Sequence, residues 1–195
     1  MGREFELKYR CTEEAFAALR QDFSSFTTIE METTYYDTFD GRLGNNHWTL
    51  RRRYENGQSI CTLKTPCPDG GRGEWEVEKG SIMAAIPELC QLGAPMELMA
   101  YCVSGVGAVC GAKFTRLAKT LEIPGATVEL ALDRGKLLGS GKELPLLEAE
   151  VELKAGADAA VLAFAAALAA KYGLVPEKRS KYRRALGLAR GEKNV

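Results

Sequence analysis

The side chains of this sequence that could do chemistry are charged residues spaced two positions apart. A period of two places alternate side chains on the same face of a β-strand, so each run predicts one charged strand face. The basic or mixed runs are Glu4, Glu6 and Lys8, then Arg51 and Arg53, then Thr62 and Lys64. The acidic runs are Glu74, Glu76 and Glu78, then Glu129 and Asp133, then Glu148, Glu150 and Glu152. Such faces suit chemistry on a charged ligand.

The acidic and basic faces have complementary chemistry. Neighbouring like charges on one strand repel each other, so the glutamate runs favour a cation bound between them. Carboxylate oxygens are hard ligands that suit magnesium or manganese, and lysine and arginine neutralise phosphate oxygens. Together the faces predict a metal–polyphosphate site. For any one strand taken alone, a half-buried sheet with a solvated outer face is the commoner explanation of such alternation.

Composition narrows the class of protein. The chain has 195 residues, enough for one domain with a sizeable core, and its 26 basic and 26 acidic residues give a formal net charge of zero. A general basic field for nucleic acid or anionic membrane is therefore not expected. The six cysteines form no Cys-x-x-Cys pair and no apolar leader precedes the first strand, so we expect reduced thiols and a cytoplasmic location. His47, the only histidine, is expected to be a turn or strand-edge residue and not a catalytic one. One histidine and cysteines without a Cys-x-x-Cys pair do not suit a zinc site.

The elements that must carry these faces follow one another along the whole chain. We expect strands at residues 2–11, 28–38, 48–55, 58–64, 73–79, 113–123, 127–133, 136–139 and 145–154, and helices at 12–23, 158–172 and 177–188. Asn56-Gly57 and Arg134-Gly135 are predicted hairpin turns, and residues 81–110 are expected to be helix plus loop. The pattern predicts one α+β domain over residues 1–195, an antiparallel sheet with helices packed outside it.

Nine short motifs span about residues 3–188. They are Glu4 to Lys8 (Glu-x-Glu-x-Lys), Tyr35 to Thr38, Leu50 to Arg53, Thr62 to Lys64, Arg72 to Glu76, Arg116, Val128 to Gly135, Glu148 to Glu152, and Ser180 to Arg184. In this order they resemble the CYTH family of triphosphate tunnel metalloenzymes. The resemblance implies a closed eight-stranded antiparallel β-barrel that forms a tunnel. It also implies magnesium or manganese as the cofactor and a substrate that carries a triphosphate.

The resemblance also implies roles for the charged residues. The residues implied to bind the triphosphate are Lys8, Arg51, Arg53, Lys64, Arg116, Lys181 and Arg184. Those implied to bind the metal are Glu4, Glu6, Glu129, Asp133, Glu148, Glu150 and Glu152, with Glu74 and Glu76 as further candidates. The expected catalytic residues are Glu4, Glu6, Lys8 and Arg53. Arg72 is as well suited to pairing with neighbouring carboxylates as to binding phosphate.

The function that the resemblance favours is hydrolysis of the terminal phosphoanhydride bond of inorganic triphosphate. The alternatives are a class IV adenylate cyclase, a thiamine triphosphatase and, outside enzymes, a polyphosphate- or nucleotide-binding module. A cyclase needs groups that hold adenine, and the sequence identifies none, while a pure anion binder would not need the acidic strands. The expected partner is a small-molecule triphosphate, and no binding to nucleic acid or membrane is expected. A homodimer is left as an alternative to a monomer.

Overall fold

The structure, a computed structural model, describes residues 2–67 and 71–193, and for residues 2–4 the backbone only. The strands are β1 (Gly2–Glu4), β2 (Glu6–Arg10), β3 (Thr27–Asp37), β4 (Thr49–Glu55), β5 (Gln58–Pro66), β6 (Arg72–Glu78), β7 (Gly107–Ile123), β8 (Ala126–Gly139), β9 (Lys142–Gly156) and β10 (Val175–Pro176). The helices are α1 (Glu13–Phe23), α2 (Arg42–Asn45), α3 (Ile82–Gln91), α4 (Glu97–Tyr101), α5 (Asp158–Tyr172) and α6 (Lys181–Arg190). The predicted α+β class with a large antiparallel sheet is confirmed.

The strands form one sheet with the order β1-β6-β5-β4-β3-β7-β8-β9-β2-β10. The N-terminal strand is interrupted at Phe5, so that β1 pairs with β6 while β2 pairs with β9. The two-residue β10 adds to β2. The described residues therefore form ten strands, whereas the alternation predicts nine and the resemblance implies eight. Their hydrogen-bond order runs from β1 to β10 and does not by itself establish a closed barrel.

One face of the sheet is apolar and is covered by helices. α1 and α5 pack on β2, β8 and β9 through a cluster that includes Phe16, Leu130 and Val161. α3 packs on β5 and β6 through a second cluster that includes Trp75 and Leu89. Burying an aliphatic side chain stabilises a protein by about 1.5–3 kcal/mol relative to exposure. Burial of these clusters therefore directs the alternate, charged residues to the opposite face, which we call the inner face.

α6 differs from the other long helices because it lies on the inner face, against β7, β8 and β9. Its Ala185 belongs to an apolar cluster with Met31 and Phe114. The helix begins after Ser180, whose hydroxyl accepts a hydrogen bond from the backbone N–H of Arg183 (3.1 Å), a common N-cap arrangement. The expectation that all helices pack outside the sheet is therefore wrong for α6, and the start of this helix reaches the site.

The turn predicted at Asn56-Gly57 is confirmed. Both residues have positive φ angles, 49° and 91°, and they connect β4 directly to β5. Two consecutive residues of this conformation match the right-handed twist of the flanking strands. Residues 81–110 contain α3 and α4 with loops between them, as predicted, although β7 already begins at Gly107.

The turn predicted at Arg134-Gly135 is wrong. β8 continues through both residues, which pair with Thr115 and Phe114 of β7. A Cβ atom at Gly135 would lie 2.2 Å from the carbonyl oxygen of Lys113. The glycine is thus needed for a close approach of two strands and not for a turn.

All six cysteines are free. Burial raises the pKa of Cys11 and of Cys110 to about 12, so these two thiols are largely protonated and unreactive near neutral pH. Within the described ranges, no helix combines the length and the apolar character needed to cross a membrane.

Candidate functional site

A cavity with a volume of about 330 Å³ lies on the inner face of the sheet. All eight strands from β2 to β9 contribute side chains to its wall, and so does the start of α6. Among the described residues, eight basic and seven acidic side chains line it: Lys8, Arg51, Arg53, Lys64, Arg72, Arg116, Lys154 and Lys181, with Glu6, Glu55, Glu74, Glu76, Glu129, Glu150 and Glu152. Their formal charges nearly cancel, so this wall suits a ligand with both cationic and anionic parts better than a lone ion.

Most of the predicted site residues belong to this wall. The phosphate-binding candidates in it are Lys8, Arg51, Arg53, Lys64, Arg116 and Lys181, and the metal-binding candidates are Glu6, Glu129, Glu150, Glu152, Glu74 and Glu76. Three others, Asp133, Glu148 and Arg184, are buried and do not line the cavity. The side chain of Glu4 lies outside the described part of the chain, while its backbone pairs with Arg72.

Two charged wall residues were not assigned to the site from the sequence. Glu55 follows Arg51 and Arg53 at the same spacing, and Lys154 follows Glu152. Extending each run of alternate charged residues by one more member would have included them in the predicted site. The apolar wall residues have no comparable signature, because their type is typical of any core; these are Ile29, Met31 and Phe114.

Three cations and three carboxylates form a buried network at the base of the cavity, which we call the ionic floor: Arg116, Lys181, Arg184, Asp133, Glu148 and Glu150. The Nζ atom of Lys181 lies 2.8 Å from Asp133 Oδ2, 2.9 Å from Glu148 Oε2 and 2.6 Å from Glu150 Oε1. Arg116 donates to Asp133 Oδ1 and Oδ2 at 2.8 Å and 2.7 Å and also to Glu150. Arg184 donates to Glu148. Opposite charges thus compensate the burial of all six groups.

The charges of the ionic floor stabilise one another. Burial alone would raise the pKa of Glu150, but the positive charges of Lys181 and Arg116 outweigh it and hold this pKa well below its usual range. Burial would lower the pKa of Lys181, but the carboxylates of Asp133, Glu150 and Glu148 raise it well above its usual value. Glu150 and Lys181 are therefore both charged at neutral pH.

The carboxylates of the ionic floor also have the spacing of a metal site. Asp133, Glu148 and Glu150 each place one oxygen within 4.8 Å of the others, an arrangement that could hold a metal ion. The ammonium of Lys181 contacts all three of them. A metal ion at this position would therefore have to displace a buried lysine.

A second set of carboxylates, the acidic row, lies on three adjacent strands. Glu6 on β2 and Glu129 on β8 are both direct register partners of Glu152 on β9. Directly opposite like charges destabilise a sheet unless a cation lies between them. Lys8 Nζ lies 2.8 Å from Glu6 Oε1, and Lys154 Nζ lies 2.9 Å from Glu152 Oε2. The oxygen donors of this row fit a hard divalent cation such as magnesium or manganese.

The basic side chains of β4, β5 and β6 form a third group, the basic bank: Arg51, Arg53, Lys64 and Arg72. Lys64 Nζ lies 3.2 Å from Glu74 Oε1, and Arg72 donates to the hydroxyl of Thr49 at 3.2 Å. Burial, with the nearby charge of Arg51, lowers the pKa of Arg53 to about 10. An anion beside Arg53 would relieve this repulsion, so the bank favours a ligand rich in negative oxygens.

The comparisons with known proteins agree with this fold. Residues 2–186 match the family model described as CYTH domain, and the chain therefore belongs to the CYTH domain family. It is 29% identical over 163 residues to a protein of Haemophilus influenzae named inorganic triphosphatase. That match covers 80% of this chain and 46% of the relative, so the chain spans about half the length of the curated relative.

Solved structures share the fold. A protein of Bacillus halodurans provisionally named adenylate cyclase superposes with a TM-score of 0.64 at 19% identity, covering 94% of this chain and 98% of that one. A protein of Pyrococcus horikoshii OT3 has a TM-score of 0.62 at 24% identity, covering 95% and 99%. A provisionally named adenylyl cyclase of Hippeastrum, described as having a dominant triphosphatase activity, has a TM-score of 0.62 at 17% identity, covering 100% and 98%.

Proposed function

We propose that this chain is a metal-dependent hydrolase that cleaves the terminal phosphoanhydride bond of inorganic triphosphate. The observation that carries the proposal is the wall of the cavity, where the acidic row and the basic bank meet around about 330 Å³ of space. A metal–triphosphate complex has both the cationic and the anionic part that this wall suits. The name of the Haemophilus influenzae relative supports inorganic triphosphate as the substrate.

Closure of the sheet into a tunnel is part of the proposal, with residues 1–195 acting as one domain. Its support is that β1 and β2 are consecutive in the chain and pair with β6 and β9, which lie near opposite ends of the strand order. All eight strands from β2 to β9 also line one cavity. An eight-stranded barrel has an interior just wide enough for side chains or one small ligand.

The basic bank would bind the phosphate chain together with Lys8. Arginine matches phosphate oxygens with two parallel hydrogen bonds, which fixes the orientation of the group as well as its position. Arg116 and Lys181, held in the ionic floor, would add positive charge at the base of the cavity. Arg184 lies behind the wall and binds Glu148, so we assign it to holding α6 in place and not to the substrate.

The acidic row would bind the magnesium or manganese ion, with Glu4 as a further ligand from the same alternating run. Such an ion, when bound, neutralises phosphate oxygens and makes a coordinated water more acidic. Glu150 lies beside the row, but its carboxylate is engaged by Lys181 and Arg116. We therefore assign Glu150, Asp133 and Glu148 to orienting those cations, and Glu74 and Glu76 to orienting Arg51.

The chain's own groups would then act by positioning and by charge. The basic bank holds the triphosphate so that its terminal phosphorus is accessible to a water molecule. A carboxylate of the acidic row orients this water and accepts its proton. The terminal phosphoanhydride bond breaks as the water attacks, and diphosphate leaves. Lys8 and Arg53 would stabilise the negative charge that develops in this transfer, a preorganised electrostatic effect that needs no covalent intermediate.

The experiment measures phosphate release from inorganic triphosphate, ATP and thiamine triphosphate, with and without magnesium or manganese, together with cyclic AMP formation. We expect metal-dependent release that is fastest with inorganic triphosphate. Glu152→Gln and Arg53→Gln should each lower kcat/KM by at least about 100-fold. Glu143→Gln and Arg20→Gln, which change exposed residues outside the cavity, should leave it unchanged.

Other outcomes of this assay would replace the proposal. Cyclic AMP formation from ATP would identify a cyclase, and preferential release from thiamine triphosphate would identify a thiamine triphosphatase. Triphosphate binding without phosphate release from any substrate would identify a binding module.

A further inference from the structure

Lys154 supplies the positive charge of the acidic row at β9. Its Nζ atom lies 2.9 Å from Glu152 Oε2 and 3.8 Å from Glu129 Oε1, and these two carboxylates are direct register partners on neighbouring strands. Lys154 lies two residues after Glu152, at a β-bulge of β9 where Leu153 and Ala155 pair with consecutive residues of β8. The side chains of Lys154 and Glu152 both line the cavity. A lysine ammonium thus lies beside the same two carboxylates that a divalent cation would need.

The environment of Lys154 allows its ammonium to leave. The side chain is 39% exposed, whereas that of Lys181 in the ionic floor is 10% exposed and contacts three carboxylates. Exposed lysine–carboxylate pairs are weak because water screens them and because the long side chain loses freedom in forming them. The flexible four-carbon stem of a lysine can carry its charge into open solvent without moving the backbone.

We propose that Lys154 is a built-in competitor of the divalent metal, and that metal binds the acidic row only after the Lys154 ammonium has moved away from Glu129 and Glu152. This inference rests on the proposed metal site. A doubly charged ion between these carboxylates would repel an ammonium that remains at contact distance, so both cations cannot occupy the row together. The affinity of the site for metal is therefore lowered by the free energy of the two lysine contacts.

The test is a titration of Mn²⁺ without substrate, followed by calorimetry and by the electron paramagnetic resonance of free Mn²⁺. Lys154→Gln should lower the Kd for Mn²⁺ by about three- to tenfold, the factor that corresponds to weak exposed ion pairs. Lys154→Arg keeps the charge and should stay close to the wild-type value. Circular dichroism should show an unchanged fold in both variants, since the side chain is partly exposed on the inner face.

The matched control is Lys79→Gln. Lys79 has nearly the same exposure, 38%, and also pairs with a glutamate, Glu88, at 2.7 Å. It does not line the cavity, so its replacement removes the same charge from another surface. Its Kd for Mn²⁺ should equal that of the wild type, which separates a local competition from a change in net charge.

The outcomes separate this inference from the proposed function. If Mn²⁺ binds neither the wild type nor Lys154→Gln, the metal site itself is refuted and the proposed function fails with it. If the wild type binds Mn²⁺ and Glu152→Gln abolishes the binding, the site stands. An unchanged or weaker affinity in Lys154→Gln, or the same gain in Lys154→Arg, would then overturn the competition alone.

Discussion

The ionic floor and the acidic row use the same chemistry in two different environments. In the floor, the side chains of Asp133 and Glu148 have no exposed surface and that of Lys181 is 10% exposed. In the row, Glu152 is 28% exposed and Lys154 is 39% exposed. Both regions contain carboxylates that face one another with lysine ammonium groups among them. The floor also contains Arg116 and Arg184, but burial is the difference that decides how easily the ion pairs break.

The difference shows how one cavity can combine ion pairs that stay in place, in the ionic floor, with ion pairs that can exchange partners, in the acidic row. A buried pair is costly to break because the remaining charge has no water to solvate it, whereas an exposed pair exchanges readily with solvent or ligand. The ionic floor therefore fixes α6 to the inner face of the sheet. The acidic row is free to exchange its lysine for another cation.

Removing the lysine of the ionic floor should have the largest effect on stability. Lys181→Met leaves three buried carboxylates with only two arginines, and breaking a buried pair in this way costs about 3–5 kcal/mol. Urea denaturation followed by fluorescence would measure this loss in the free energy of unfolding. Lys79→Met, which breaks an exposed pair, should cost no more than about 1 kcal/mol. Equal losses in the two variants would mean that the floor is solvated, and the comparison would fail.

Acid should weaken the ionic floor. The folded protein holds the pKa of Glu150 below its usual value of 4.5, because the charges of Lys181 and Arg116 outweigh the effect of burial. The stabilisation from ionised Glu150 is therefore complete above about pH 4.5 and is lost as the pH falls below that value. The free energy of unfolding, measured between about pH 5 and pH 3, should fall more steeply for the wild type than for Lys181→Met. Parallel curves would show that Lys181 does not control this carboxylate.

The acidic row should contribute least to stability. Lys154→Gln should change the free energy of unfolding by less than about 1 kcal/mol, because exposed pairs are weak. The same measurement at about 1 M salt, where the screening length is only about 3 Å, should remove the remaining difference. The deficit of Lys181→Met should persist under that condition. If the free energy of unfolding of Lys154→Gln stayed below that of the wild type at high salt, the acidic row would behave like the buried ionic floor.

The alternation of residues predicts much of the site. A strand has a side-chain period of two, so a shift by one residue would turn every charged side chain to the other face. This is why Glu6, Arg53 and Glu152, far apart in sequence, could all be assigned to one face and are all found in the wall of the cavity. The hairpin at Asn56-Gly57 was predictable from residue type, because asparagine followed by glycine readily adopts the two consecutive positive φ angles that this turn needs.

The rest of the site depends on which helices and strands pack against each face of the sheet. The alternation of residues along one strand carries no information about this. Glu148 has the same spacing as Glu150 and Glu152, yet its side chain is fully buried and paired with Arg184 and Lys181 of α6. Nothing in the strand pattern indicates that a helix lies on the inner face. The error at Arg134-Gly135 has a related origin, because a glycine needed for close strand contact looks like a turn residue when the neighbouring strand is unknown.

The pairing of Glu6 with Glu152 has a consequence for the order of folding. These residues lie on β2 and β9, so most of the chain separates two strands that are neighbours in the sheet. Contacts between such distant residues form slowly, because closing a long loop costs entropy before any contact compensates for it. We therefore expect the acidic row to be assembled in one of the slower steps of folding. A chain that stalls before this step can have most of its strands in place and still lack the carboxylate cluster. Under the proposed function, such a chain would also lack the metal site and therefore the activity.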